Sequence, residues 1–538
     1  MVKKNVLLLI TVCLTVLLAA CSDDDASSEQ QVTEDGKVAL TALITKHPLT
    51  KDLKDMEWLQ EVEERAGVEI TWEEVTADWD QKKGAMLAGG DIPDLIIGPN
   101  AITDADFAQF PGLFENLAPL IEEHGPNIQA MFEEQPQTEV LSTQTDGEIY
   151  GLSKYQQFWP ETSTMQFINK QWLDNLGLDV PTNWDELFDV LVAFKEEDAN
   201  GSGDPNDEIP MDFAPIGEGG FGYFHPTVLL GSLGMTITGG GGQGYFLEGG
   251  EVRNFFVDER YKEFVSFLHK LYENGLINEE AFTQDYSQYQ ALARGEGDVA
   301  TVGYTFGWER TDRFGLGVAD QYVSFDPMKA SSDYDGEVTW SYDYNELNFG
   351  VNFVQMSSAT SNKEAAMKFI NELYDPEVSL QVLFGSLGPN IEKNGDNSYT
   401  ILEPEDEEMD PGTWKWTSTW ADSGPMFISD QLDVELPADM QAVDEQQAPY
   451  NDVFETLDRE NDVFPAMMLK YSEEDHNQMT LVNTDFMNIA ISKFGEWVTT
   501  GGIENEWDSY VEQVEQMGLP SNIEIIQRYY DDYKEQLN

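Results

Sequence analysis

A chain of 538 residues with 101 acidic and 29 basic side chains carries a formal charge of −72 at neutral pH. A surface of that sign repels nucleic acid and anionic membranes, and it fits high salt or alkaline medium, where screening relieves self-repulsion. At 41% hydrophobic and 12% aromatic residues, the chain has material for two sizeable cores, which excludes an acidic disordered protein.

The first element is "MVKKNVLLLITVCLTVLLAAC". Lys3 and Lys4 precede an apolar run too short for a stable span, the pattern of a secretory signal over 1–20. Its ending "LAAC" resembles a bacterial lipobox, which would make Cys21 the lipidated N-terminus of the mature chain. Acyl chains contribute roughly 0.8 kcal/mol per buried methylene, so two or three of them would anchor the domain stably, and no other attachment to the membrane is expected. Residues 21–36 read as an acidic tether. Cys13 leaves with the signal, so disulfides, thiolate catalysis and cysteine metal sites are excluded.

"KVALTALIT" is strand-like, "MEWLQEVEERAG" carries an apolar helical stripe, and "VEITWEEV" alternates as a strand. "DIPDLIIG" reads as a buried parallel strand, and "DGEIYGLSKY" and "STMQFINK" as extended stretches crossing between lobes. Strands alternating with helices predict an α/β fold with a mostly parallel sheet. In "PTNWDELFDVLVAFKEED", Trp184, Leu187, Phe188, Leu191 and Phe194 fall on one helical face, with Thr182 as the expected N-cap. Further stripes run through "RYKEFVSFLHKLYENGLI" and "EAAMKFINELYDPEVSLQVLFG", and Ser521 with Glu524 forms a capping-box pattern near the C-terminus.

Enzyme signatures are sparse. The histidines are scattered, and HExxH, GxSxG and GxxxxGK[ST] are missing. Two GxGxxG matches, at Gly217-Gly219-Gly222 and Gly239-Gly241-Gly244, read as loops, the second leading into "YFLEGGEV" rather than a helix. Aromatic clusters carry more. "GYTFGWERTDRF" holds Tyr304 and Trp308, "YQQFWPETS" holds Trp159, and "TWSYDYNE" and "TWKWTSTW" hold Trp340, Trp414 and Trp416. A sugar ring has an apolar face and a rim of hydroxyls, so flat aromatics among polar side chains are candidate platforms. Any one of them can equally be a core residue; Trp308 and Trp159 stand in polar, turn-like contexts that favour the site.

"GDIPDLIIG", "DGEIYGLSKY", "INKQWLDNLGLDVPTNWDELFDVLVAFKEED" and "ATSNKEAAMKFINELYDPE" follow one another as in extracellular solute-binding proteins of bacterial ABC importers. With the lipobox and the C-terminal stretch, the chain resembles the large lipoprotein branch serving oligosaccharide uptake, which includes relatives of the maltose-binding and alginate-binding proteins. The resemblance implies a two-lobe, hinged α/β fold of the type II periplasmic-binding kind, with ligand held between the lobes and no chemistry done on it. Lobe 1 is expected over 37–160 and 346–435, lobe 2 over 161–345, with a helical segment, 436–538, belonging mainly to lobe 2. It also implies that Trp308 stacks on sugar and that the loops bearing His47 and Asn100 line the opposite wall. Expected partners are an oligosaccharide and the transmembrane subunits of the permease, with the protein itself a monomer. A peptide carrier on the same fold, and an exported polysaccharide-degrading enzyme, remain as alternatives.

"DANGSGDPNDEIP" stands apart. Asp198, Asn200, Ser202 and Asp204 occur at every second position with glycines between them, the first half of a calcium loop, and Asp207 and Glu208 can close the shell. The loop follows the negative end of a helix, where each carboxylate is unfavourable by roughly 0.3–1 kcal/mol unless a cation offsets it. A similar loop occurs in alginate-binding relatives, which implies a structural calcium; one extra residue before Asp207 separates the two patterns.

Overall fold

The computed structural model describes residues 32–33, 35–204, 206–215, 223–239, 242–295, 297–404 and 411–537. The signal segment, Cys21 and most of the 21–36 tether lie outside them, as do Gly217, Gly219, Gly222 and Gly241 of the two glycine motifs.

Two sheets organise the chain. The first takes strands β1 (Val38–Thr45), β2 (Val68–Val75), β3 (Leu95–Ile97) and β4 (Gly151–Gln156), then β11 (Phe349–Met356) and β14 (Phe427–Ile428) after a long excursion. Their order is β14-β4-β11-β3-β1-β2. β1 pairs in parallel with β2 and β3, while β11 runs antiparallel between β3 and β4. Period-two alternation in β1 sends Leu40, Ala42 and Ile44 into one core and Leu43 into a second cluster with Ile96 on the opposite face. Being covered on both sides is why "LII" reads as an unbroken apolar run.

The second sheet has β5 (Met165–Asn169), β6 (Ile209–Met211), β9 (Val302–Gly307) and β10 (Tyr322–Ser324), in the order β10-β5-β9-β6. All six residues of β9 are buried. The helices Glu473–Thr500 and Leu519–Leu537 join this core through Phe486, Phe494, Trp497, Ile526 and Tyr530. A hairpin of β7 (Tyr245–Glu248) and β8 (Glu251–Asn254) and a small sheet of β12 (Ile391–Lys393), β13 (Ser398–Ile401) and β15 (Asp433–Glu435) complete the strands among the described residues.

Two predicted caps shift. The helix Trp184–Glu196 is capped by Asn183, whose side chain accepts from the N–H groups of Asp185 and Glu186. Thr182 instead donates its N–H and hydroxyl to Glu186, both at 2.8 Å. The last helix starts at Leu519, so Ser521 lies inside its first turn and makes no box; its hydroxyl accepts from Gln478.

Three of the segments passing between the lobes are bonded to one another. Trp159 donates its N–H to Asn348 Oδ1 and accepts from Asn348 Nδ2, both at 3.1 Å. The Asp343 N–H reaches the Glu161 carbonyl at 2.7 Å, and the Gln447 amide oxygen accepts from the N–H groups of both Glu161 and Thr162. Asp343 is buried and accepts from the Ser163 N–H and hydroxyl, from Ser341 Oγ and from the Gly239 N–H. One helical turn on, burial first and then the Asp343 charge push Glu346 up to about 8. Its Oε1 is buried without a hydrogen-bond partner among the described residues.

Candidate functional site

The carboxyl ends of β4 and β9 approach each other between the sheets. β4 delivers the chain to Trp159; β9 ends at Gly307 and passes at once to Trp308 and the helix Arg310–Val318. That helix is capped by Glu309, whose Oε2 accepts from the Asp312 N–H at 2.9 Å. A Cβ on Gly307 would stand 3.1 Å from Arg313 Cβ, so the strand-to-helix turn is tight there. The rings of Trp159 and Trp308 meet edge to face with centroids 5.6 Å apart.

They open onto a cavity of about 560 Å³ whose walls include Trp159, Trp308, Glu309, Asp312, Trp414 and Lys415. Apolar side chains such as Phe384, Ile401 and Val443 fill out its surface. Trp159 also borders a second cavity of about 500 Å³, with Glu161, Asp433, Asp444 and Gln447 around it. Flat apolar rings beside carboxylates and amides suit a hydroxylated ring-shaped guest.

Lys415 organises one wall. Its Nζ lies 4.9 Å from the Trp159 centroid and 5.8 Å from that of Trp416, and donates to Asp422 Oδ2 at 2.8 Å. Lys154 shares the same acid, donating to the Asp422 carbonyl at 3.2 Å with its ammonium 3.9 Å from Oδ1. Burial alone would raise the Asp422 carboxyl, but the two lysines outweigh it and hold it down to about 2. Burial likewise lowers Lys154 to about 8, with Asp422 opposing.

The predicted site residues part company here. Trp159, Trp308 and Trp414 line the first cavity. Trp416 stands one layer back, against Lys415 and against His47, whose ring centroid is 4.7 Å from its own. Asn100 is exposed beyond β3 with φ of +48°, and is not among the cavity's lining residues. Tyr304 and Trp340 are corrections: both are fully buried in the second core. Tyr304 donates its hydroxyl to Gln166 Oε1 at 2.8 Å, and Trp340 its indole N–H to the Thr164 carbonyl at 2.7 Å. For Tyr304 the cause is a sheet covered on both faces, which turns a strand aromatic into core wherever it points; Trp340 comes from a loop that packs it on Tyr450, ring centroids 5.1 Å apart. Glu309, Asp312 and Lys415 join the cavity wall from inside the aromatic stretches "GYTFGWERTDRF" and "TWKWTSTW"; for Lys415 the sequence signal is a lysine between two tryptophans.

The loop after Trp184–Glu196 is folded around its own polar groups. The Gly203 N–H points at both Asp198 oxygens (3.2 and 3.1 Å), and Asn200 Oδ1 accepts from the Ser202 N–H. Asn200 donates its side-chain amide to Asp207 at 2.8 Å and its N–H to Glu208 Oε1 at 3.3 Å. Asp204 accepts from Asn206. Burial raises Glu208, and its Oε2 is buried with no partner among the described residues. No group of three or more His, Cys, Asp or Glu is disposed to hold a metal among the described residues. Nor is any described helix long and apolar enough to cross a membrane.

Comparison with known proteins agrees with this architecture. The chain is 28% identical over 526 residues to the fructooligosaccharide ABC transporter substrate-binding protein FusA of Streptococcus pneumoniae, covering 93% of this chain and 92% of FusA. A solved structure of a FusA EF-hand mutant with fructo-nystose superposes with a TM-score of 0.74 at 26% identity, over 92% of this chain and 99% of that one. An HMO-binding, ABC-transporter-associated solute-binding protein from Bifidobacterium longum infantis gives 0.84 at 33% identity, over 93% and 99%. The family model for bacterial extracellular solute-binding proteins matches residues 49–379. With its fold and interlobe cavity, this chain belongs to the bacterial extracellular solute-binding protein family.

Proposed function

We propose that this protein captures an oligosaccharide between its lobes and delivers it to the transmembrane subunits of an ABC importer, held at the outer face of the cell membrane by lipid on Cys21 and acting as a monomer. The lobes are 37–160 with 346–435, and 161–345 with most of the C-terminal helical segment 436–538. The observation that carries the reading is the cavity walled by Trp159, Trp308 and Trp414, with polar groups from both lobes around it. Guest contacts to both walls favour the closed form, and that population shift is the transport signal. In this reading the protein performs no chemistry: in the first cavity the two carboxyl groups, Glu309 at the helix cap and Asp312 in its first turn, share one wall, whereas glycoside hydrolysis needs carboxyl groups flanking the bond from two sides.

Asp198, Asn200, Ser202, Asp204, Asp207 and Glu208 would be the ligands of a structural calcium, although their carboxylates are not gathered around one point here. The orphaned, buried Glu208 Oε2 supports that fit; a hard cation would satisfy it and tie the loop to the start of β6. A thermal-shift screen of the mature protein against neutral and acidic oligosaccharides tests capture. Ligand at 100 times its Kd raises stability by about 2.7 kcal/mol. A flat response across the panel, or release of reducing sugar, would refute the reading. EDTA should lower the melting temperature; an unchanged one removes the calcium.

A further inference from the structure

The charges lining the two cavities are mostly negative, with Glu161 of the second already paired to Arg459. Glu309 and Asp312 line the first, Glu161, Asp433 and Asp444 the second, and the one cation among the described lining residues of both is Lys415. That lysine is already engaged. Its ammonium donates to Asp422 and lies over Trp159 and Trp416, while Asp422 also holds Lys154. Arginine, whose fork recognises carboxylates bidentately, lines neither cavity among the described residues.

We propose that the cleft selects neutral oligosaccharides against their uronic-acid counterparts, with Glu309 and Asp312 as the excluding residues and Asp422 keeping Lys415 from recruiting an anionic guest. This rests on the oligosaccharide reading above and narrows its substrate class. Carboxylates are good acceptors for sugar hydroxyls, and Glu309 and Asp312 both open onto the cavity. An anionic ring placed there meets two like charges across a partly dehydrated gap. At an effective dielectric constant of about 20 and a separation of about 5 Å, a single such pair weakens binding on the order of a hundredfold. Lys415 offsets part of this, leaving a discrimination of at least about tenfold per carboxyl group. The whole-chain charge of −72 adds a long-range repulsion that salt screens, whereas the local wall is screened much less.

The test is titration calorimetry on the mature protein in calcium-containing buffer, at 0.15 M and 1 M NaCl. The probes are neutral fructo-, gluco- and galacto-oligosaccharides and the same sugars oxidised to carboxylates at their primary hydroxyls. The expected result is binding of at least one neutral sugar, with its oxidised form at least about tenfold weaker at both salt concentrations. Asp312→Asn, and independently Glu309→Gln, should narrow that ratio. An oxidised sugar bound as tightly as its neutral parent overturns the selectivity while leaving oligosaccharide capture standing. Discrimination that vanishes at 1 M NaCl, or that survives in both folded variants unchanged, overturns the assignment to these two residues. Failure of every probe overturns the capture reading and this inference together.

Discussion

Replacing Glu346 by glutamine should make the protein more stable, and only above mildly acidic pH. In the folded chain the Glu346 carboxyl is raised from 4.5 to about 8, first by burial and then by Asp343, and one of its oxygens has no partner. A carboxyl raised on folding binds more protons in the native than in the unfolded state between those two values. Stability therefore falls as pH climbs from about 4.5 to about 8 and stays depressed beyond it. The full displacement corresponds to ~4–5 kcal/mol. The side chain is only partly withdrawn from water, and solvent screening reduces the expected gain to about 2 kcal/mol at pH 9. For a lobe of this size that is about 4–8 °C in Tm. Differential scanning calorimetry of wild type and Glu346→Gln at pH 4.5 and pH 9, in 0.5 M NaCl to quiet the surface carboxylates, reads the difference directly. A Tm gain equal at both pH values, or a loss at pH 9, would refute the reasoning, because every other acid is common to the two proteins.

Three further outcomes follow from the cavity walls and the core. Trp308→Ala should weaken oligosaccharide binding by about 1–3 kcal/mol, roughly five- to 150-fold in Kd, with Tm of the free protein little changed. Tyr304→Phe should do the reverse: it removes one buried hydrogen bond to Gln166, costing about 1 kcal/mol in chemical denaturation while calorimetric affinity stays put. Asp422→Ala strands the buried ammonium groups of Lys154 and Lys415 and should destabilise by about 2–3 kcal/mol. That loss should ease at high pH, where Lys154, already lowered to about 8 by burial, gives up its proton.

What the sequence makes legible is what short-range pattern encodes. The stripe from Trp184 to Phe194 and the apolar run "LII" each lie within a dozen residues, and both appear where the spacing puts them. Caps slip by a residue or two because neighbouring side chains compete for them, as Asn183 wins over Thr182 through two N–H groups instead of none. Aromatics defeat the same logic. Trp308 and Tyr304 are four residues apart in one motif, yet the first lines a cavity and the second is sealed in a core. The difference is the point where β9 ends, which depends on its partners β5 and β6 far away in the chain. Lys154 and Asp422 meet across 268 positions, a separation at which no periodicity carries information.

The stitching of Trp159 to Asn348, of Asp343 to Glu161 and of Gln447 to Glu161 and Thr162 makes a single strap of the separate strings linking the halves. Strands free to slide would let the halves drift sideways; joined rungs leave bending about one line as the easy motion. On the capture reading proposed above, a guest gripped anywhere along the opening would produce the same final posture, so a permease would need to recognise only one silhouette.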